Sequence, residues 1–213
     1  MSKRHVFVAG ATGAVGQALL ELAAKRQVDV LAHARPKSAG RLGARPVAAI
    51  ELSDPKLADT LKGCTTVVQL IGTMKKRFAS GDTYESSDIG TTRQLVDAAK
   101  ASGTVDHLVL LSSVGAGSPR GAYLKAKAEA ERIVTSSGIP YTIFRPSAFA
   151  DREGVFIPGM GALTKLLGLK KYQPIKLAEL ASAILFAATE RAPLGVALEG
   201  APLWDLVEKA SRG

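Results

Sequence analysis

Tyr123 and Lys127 stand four residues apart in "YLKAKAEAE". On a helix that spacing puts a phenol and an ammonium on one face. A phenol held beside a positive charge is a candidate proton donor for carbonyl reduction, because the charge favours the phenolate. The same two residues also suit the solvated face of an alanine-rich helix. The pair therefore acquires meaning only if the rest of the chain builds a site around it.

A second group of residues does so. "GATGAVG" places Gly10, Gly13 and Gly16 at G-x-x-G-x-x-G spacing directly after the apolar run "HVFVA" and before a helical pattern. In that context the first glycine allows a tight turn out of a strand. The second lets backbone approach a pyrophosphate, and the third lets a helix pack against the strand. The helix N-terminus then offers free N–H groups and the positive end of its dipole to phosphates. Further on, "AHARPKSAGR" carries Arg35 where an acidic residue would bind a ribose 2′-hydroxyl, with Lys37 and Arg41 close behind. An arginine there forks and stacks on a 2′-phosphate instead, so the expected cofactor is NADP(H).

The elements that carry these residues alternate along the chain. "HVFVAG", "VDVLAHAR", "PVAAIEL", "TTVVQLIG", "VDHLVLLSS" and "PYTIFRPSAF" read as six buried strands, and helical patterns fall between most of them. "DPKLADTLKG" reads as a short helix with Asp54 as N-cap, Pro55 at the first position and Gly63 as stop. "SSDIGTTRQLVDAAKASG" reads as one continuous helix, and "GAYLKAKAEAERIVTSSG" as the helix bearing Tyr123 and Lys127. Continuous apolar strands alternating with helices predict an α/β fold, a single doubly wound parallel sheet with helices on both faces. Residues 1–213 are expected to form one domain. The rhythm changes after Phe149, and 151–213 are expected to be a small cap containing an amphipathic helix after Lys176, one more strand and a last helix packed by Trp204.

The bulk properties narrow the function classes. The chain is 213 residues with 46% hydrophobic and 22% charged residues, which suits a packed core. One cysteine, Cys64, excludes an internal disulfide framework and fits a cytoplasmic location. No run of eighteen apolar residues predicts a membrane span, and the apolar start is too short for a signal peptide. The net charge of +9 is spread along the chain, and aromatics, at 5%, do not interleave with the basic clusters. The expected partner is a small-molecule substrate rather than a specific nucleic acid or a membrane, for a monomer or homodimer. His5, His33 and His107 are scattered over separate strands, so no metal site is expected. Met74-Lys75-Lys76-Arg77, with Gly81, reads as a mobile basic loop over the cleft.

Taken together, "GATGAVG", "SSVGA", "YLKAKAEAE" and "YTIFRPSAF" resemble the atypical short-chain dehydrogenase/reductases. Within them the chain is similar to the NAD(P)H-binding, NmrA-like branch and to the oxidoreductases related to Tat-interactive protein. The resemblance runs from residue 5 to about 155. It implies a Rossmann-like fold and a set of roles. Gly10, Thr12, Gly13, Ala14, Val15 and Gly16 would hold the pyrophosphate, and Arg35 would read the 2′-phosphate. Leu52, beside Glu51, would line the adenine pocket, and Gly72 and Thr73 would lie against ribose. Ser113 would join Tyr123 and Lys127 in catalysis, with Ser112 as the alternative register. Pro146 and Ser147 would run along the nicotinamide, and Lys127 would also touch its ribose. The implied activity is NADPH-dependent reduction of a small carbonyl or quinone. The same residues also serve an NADPH-binding regulator or assembly factor without turnover, or an epimerase or dehydratase with tightly held cofactor.

Overall fold

A computed structural model describes residues 5–72, 81, 83–151 and 170–212. Seven strands, β1 (His5–Ala9), β2 (Asp29–Ala34), β3 (Val47–Ala49), β4 (Thr66–Gln69), β5 (His107–Leu111), β6 (Tyr141–Phe144) and β7 (Val196–Leu198), form one sheet in the order β3-β2-β1-β4-β5-β6-β7. Every pairing is parallel, with Val6 of β1 opposite both Val30 of β2 and Thr66 of β4. The α/β doubly wound sheet expected from the sequence is the observed fold.

Strand residues alternate between two cores, as a pleated sheet requires. Val6, Val8, Ala32, Val68, Val109 and Phe144 face one core; Phe7, Ala9, Val67, Leu108, Leu110 and Ile143 face the other. The first core is covered by α1 (Ala14–Lys25), α5 (Leu177–Glu190) and α6 (Ala201–Ser211), with Trp204 packed at its edge. The second is covered by α2 (Leu57–Thr60), α3 (Thr91–Ser102) and α4 (Gly121–Thr135). Both faces are covered, which is why the strand interiors are mostly apolar. Cys64 is fully buried in the second core, and burial pushes its thiol up to about 11.

The described part of the C-terminal region, 170–212, belongs to the body of this fold. Leu180, Ile184 and Leu185 of α5 are fully buried, and at roughly 1.5–3 kcal/mol each their burial alone is comparable to a domain's whole net stability. Phe149 bridges Ile175, and the Leu177 N–H donates to the Asp151 carboxylate at 3.1 Å, so the segments flanking 152–169 are joined at their base. Residues 152–169 lie outside the described set, as do Thr73 and the basic stretch Met74–Arg77.

The helix expected over 86–103 is not continuous. Residues Glu85–Gly90 wind as a wider, π-type turn before α3 begins at Thr91. A periodicity argument tuned to 3.6 residues does not register one extra residue in a turn.

Candidate functional site

The carboxyl ends of the parallel strands meet at a cavity of about 500 Å³, a usual size for a small-molecule or cofactor site. It lies where the strand order reverses between β1 and β4, the position at which open α/β sheets bind ligands. One wall is Gly10, Thr12 and Gly13; another is His33, Arg35, Ser38 and Arg41; a third is Glu51, Leu52 and Ser53. Ile71 and Gly72 after β4 and Ser86, Ser87 and Thr91 complete it.

The three glycines of the loop answer different demands. Gly10 has φ +87°, and a Cβ on it would lie 2.9 Å from the Ile71 nitrogen. A Cβ on Gly16 would collide with the Gly10 carbonyl oxygen and with Ala11 Cα, so α1 could not pack this close to the turn. Gly13 is different: it is exposed, and its nearest neighbour for a Cβ is the Gly10 oxygen at 3.3 Å. The protein's own packing asks little of Gly13, and its exposed position leaves room for close approach by a ligand. Gln17 braces the turn by donating to the Ala11 carbonyl at 3.0 Å, and no acidic residue occupies the first turn of α1. The free N–H groups of that turn are thus a fit cradle for a dinucleotide's pyrophosphate. Ala14 is exposed there, whereas the Val15 side chain turns into the core.

Beyond β2, a short 3₁₀ helix (Pro36–Leu42) folds Ser38 and Arg41 back beside exposed Arg35. His33, on the same wall, is buried; burial holds its imidazole below the ordinary 6.5, partly offset by its contact with the Ile50 carbonyl, 2.8 Å from Nε2. A neutral ring donating from Nε2 satisfies that carbonyl. Positive charge in this part of the cavity therefore comes from Arg35 and Arg41, opposed by Glu51.

Tyr123 and Lys127 lie outside the cavity lining but adjoin it through Gly72. A Cβ on Gly72 would sit 2.9 Å from Lys127 Nζ. Lys127 is buried, its Nζ is 5.9 Å from the centroid of the Tyr123 ring, and it donates to the Leu111 carbonyl at 3.4 Å. Tyr123 is 37% exposed and packs against Tyr84 with tilted rings, their centres 5.7 Å apart at 55°. Lys127 also pairs with Asp88 at 2.8 Å.

The two serines after β5 part company. Ser112 is buried and its hydroxyl donates to Glu131 Oε1 at 2.5 Å; Ser113, half-buried, follows on the loop leading to α4. Glu131 also receives a two-pronged contact from Arg145, with Nε to Oε1 at 2.9 Å, and these hydrogen bonds raise the guanidinium above its usual pKa. Arg145 reaches Glu199 at 3.7 Å, and Lys171 reaches the same carboxylate at 2.6 Å. After β6, the Pro146 carbonyl accepts from the Val114 N–H at 2.9 Å, and the Ser147 hydroxyl donates to the Gln173 carbonyl at 2.8 Å.

Sequence reasoning gave no role to Asp88, Glu131, Arg145, Tyr84 or Gln69. One signal was available: Tyr123, Lys127 and Glu131 form a polar stripe at successive four-residue steps, and a carboxylate below a lysine on an otherwise apolar face calls for a buried partner. Among the described residues, no cluster of His, Cys, Asp and Glu could hold a metal ion, and no helix is long and apolar enough to cross a membrane.

A glycine turn at a strand-to-helix junction, a cavity at the sheet's switch point and a tyrosine–lysine helix beside it define a nicotinamide-dinucleotide-binding protein. An NAD(P)H-binding family model matches residues 10–190, and the chain belongs to that family, within the atypical short-chain dehydrogenase/reductases of NmrA-like type. Protein TIC 62, chloroplastic, of Pisum sativum is 31% identical over 171 residues, covering 66% of this chain and 32% of that protein, so the match spans about a third of that relative. Among solved structures, a protein described as an NAD-dependent epimerase/dehydratase from Bacillus halodurans is 21% identical with a TM-score of 0.75, over 97% of this chain and 99% of the other. An NADPH-dependent quinone oxidoreductase from Escherichia coli, solved with NADPH, is 20% identical with a TM-score of 0.67, over 91% of this chain and 68% of that one. At these identities the structural likeness is one of fold.

Proposed function

We propose that the chain is an NADPH-dependent oxidoreductase that reduces a small carbonyl or quinone. The observation that carries this reading is the exposed Tyr123 beside the buried Lys127 ammonium, immediately across Gly72 from the cofactor cavity. A reduced nicotinamide held in the cavity would supply the hydride. Tyr123 then donates its phenolic proton to the carbonyl oxygen, Ser113 hydrogen-bonds that oxygen, and Lys127 stabilises the phenolate left behind. Arg35, supported by Arg41, favours the 2′-phosphate of NADPH over the bare ribose of NADH. The quinone oxidoreductase among the structural neighbours is consistent with the substrate class.

A second reading is an NADPH-binding regulator without turnover. The observation in its favour is that the Lys127 ammonium is already paired with Asp88, which offsets its charge at Tyr123. A panel of aldehydes, ketones and quinones with NADPH and NADH separates the two. Saturable cofactor oxidation on any member supports the oxidoreductase. Tight cofactor binding with no turnover on the whole panel supports the regulator.

A further inference from the structure

We propose that Asp88 is the positioning residue of the Tyr123–Lys127 pair, fixing the lysine ammonium against Gly72 at the edge of the cofactor cavity. The inference rests on Lys127 facing the bound cofactor.

Three separate features converge on this carboxylate. Asp88 Oδ1 and Lys127 Nζ are 2.8 Å apart, with side chains only 1% and 8% exposed. Two charges withdrawn from water this far are tenable only as partners. Next, the backbone has made room for them: a Cβ at Gly72 would lie 2.9 Å from the ammonium and 3.2 Å from Asp88 Oδ1. Finally, Asp88 sits in the π-type turn Glu85–Gly90, a conformation that recurs at functional sites.

That turn is itself pinned to the sheet. Gln69, buried at the end of β4, donates from Nε2 to the hydroxyls of Thr91 (2.9 Å) and Thr92 (3.2 Å). Those hydroxyls donate to the carbonyls of Ser87 and Asp88, each at 2.6 Å. Gln69 Oε1 accepts from the Ile71 N–H at 3.0 Å, next to Gly72. The chain of contacts therefore runs from β4 through the two threonines to the turn, and from the Asp88 carboxylate to Lys127. The ammonium, on a flexible four-carbon stem, is held in one place by a rigid sheet rather than by its own helix alone.

The test is a double-variant cycle in cofactor affinity, which needs no substrate. NADPH and NADH are titrated calorimetrically into wild type, Asp88→Asn, Lys127→Met and the double variant, with folding checked by circular dichroism and urea unfolding. Asp88→Asn is expected to weaken the preferred cofactor about tenfold or more when Lys127 is present, and less than about twofold when Lys127 is already Met. Asp88→Glu, which keeps the charge, is expected to recover part of the loss. Equal losses in both backgrounds, or none in either, overturn the proposal, because Asp88 would then not act through Lys127. A protein that binds neither cofactor overturns it as well. If Asp88→Asn does not fold, Asp88→Glu takes its place in the cycle: displacing the carboxylate by one methylene must weaken binding with Lys127 present and leave the Lys127→Met background unmoved. Wild type that turns over nothing on the substrate panel sinks the reductase reading without touching this result. Wild type that turns over while the cycle shows no coupling sinks the positioning role alone.

Discussion

At the Gly10–Gly16 loop the groups offered to a ligand belong to the backbone; at Lys127 they belong to side chains of α4, held by Asp88 of the π-type turn and by the Leu111 carbonyl of β5. The loop end is open to solvent, with Gly13, Ala14 and Arg35 exposed. The lysine end is buried, and each of its charges has a partner: Lys127 with Asp88, Glu131 with Arg145. Backbone amides need no counter-charge, so a change at an exposed loop position such as Gly13 should be felt by the ligand alone. Buried ions do need one, so a change at the other end should be felt by the fold as well.

The sharpest contrast comes from Glu131. Glu131→Ala leaves Arg145 without its two-pronged partner and Ser112 without its acceptor, and removing one member of a buried pair costs about 3–5 kcal/mol. Urea unfolding should show a loss of that order; an unchanged midpoint would mean that the pair is as dispensable as a surface contact.

Next in size is chemistry at the same end. Tyr123→Phe keeps the ring's packing on Tyr84 and should leave cofactor affinity and stability nearly unchanged. Turnover on any substrate that wild type reduces should fall by about 10²–10⁴, the usual worth of a positioned general acid. A variant with full turnover would make Tyr123 cleft lining only.

At the loop end, Gly13→Val should weaken both NADPH and NADH by at least about a hundredfold, roughly 2.7 kcal/mol, with the thermal midpoint unmoved. Gly16→Val, whose Cβ meets backbone, should instead lower the thermal midpoint. If the two variants behave alike, the division of labour within the loop is wrong.

Arg35→Ala should erase a preference for NADPH over NADH of about tenfold, which is about 1.4 kcal/mol. Calorimetric titration of both cofactors reads it, and a preference that survives the substitution would leave Arg41 as the reader. The smallest effect is a pH dependence at His33. Its folded pKa lies below the ordinary 6.5, so as pH falls through 6.5 and on through the folded value the unfolded chain takes up a proton that the folded chain resists. Stability should therefore decline on going from about pH 7.5 to about pH 5.5, and decline less in His33→Gln. Parallel curves for the two proteins would remove His33 from the account.

The same contrast explains what could be read in advance. The phosphate loop lies within seven consecutive residues whose roles follow from local conformation: a turn, a close approach, a helix start. The strands declared themselves by apolar runs, and α4 by its alternation of alanines and charges. Asp88 gave no such sign, because it stands within a stretch that reads as one regular helix and its partner is 39 residues away in sequence, a distance bridged only when the π-type turn points its carboxylate inward. Arg145 and Glu131 are likewise ordinary residues of a strand end and a helix until the sheet places β6 beside β5.

The sequence by itself determined the alternation of strand and helix, the glycine turn and the tyrosine–lysine step, because each depends on residues within one or two helical turns of one another. Tertiary structure decided which ammonium is buried, which serine keeps its hydroxyl from the Glu131 pair and which acid faces which base. Those outcomes depend on desolvation and on geometry between elements far apart in the chain, and neither exists until the sheet has closed over its two cores.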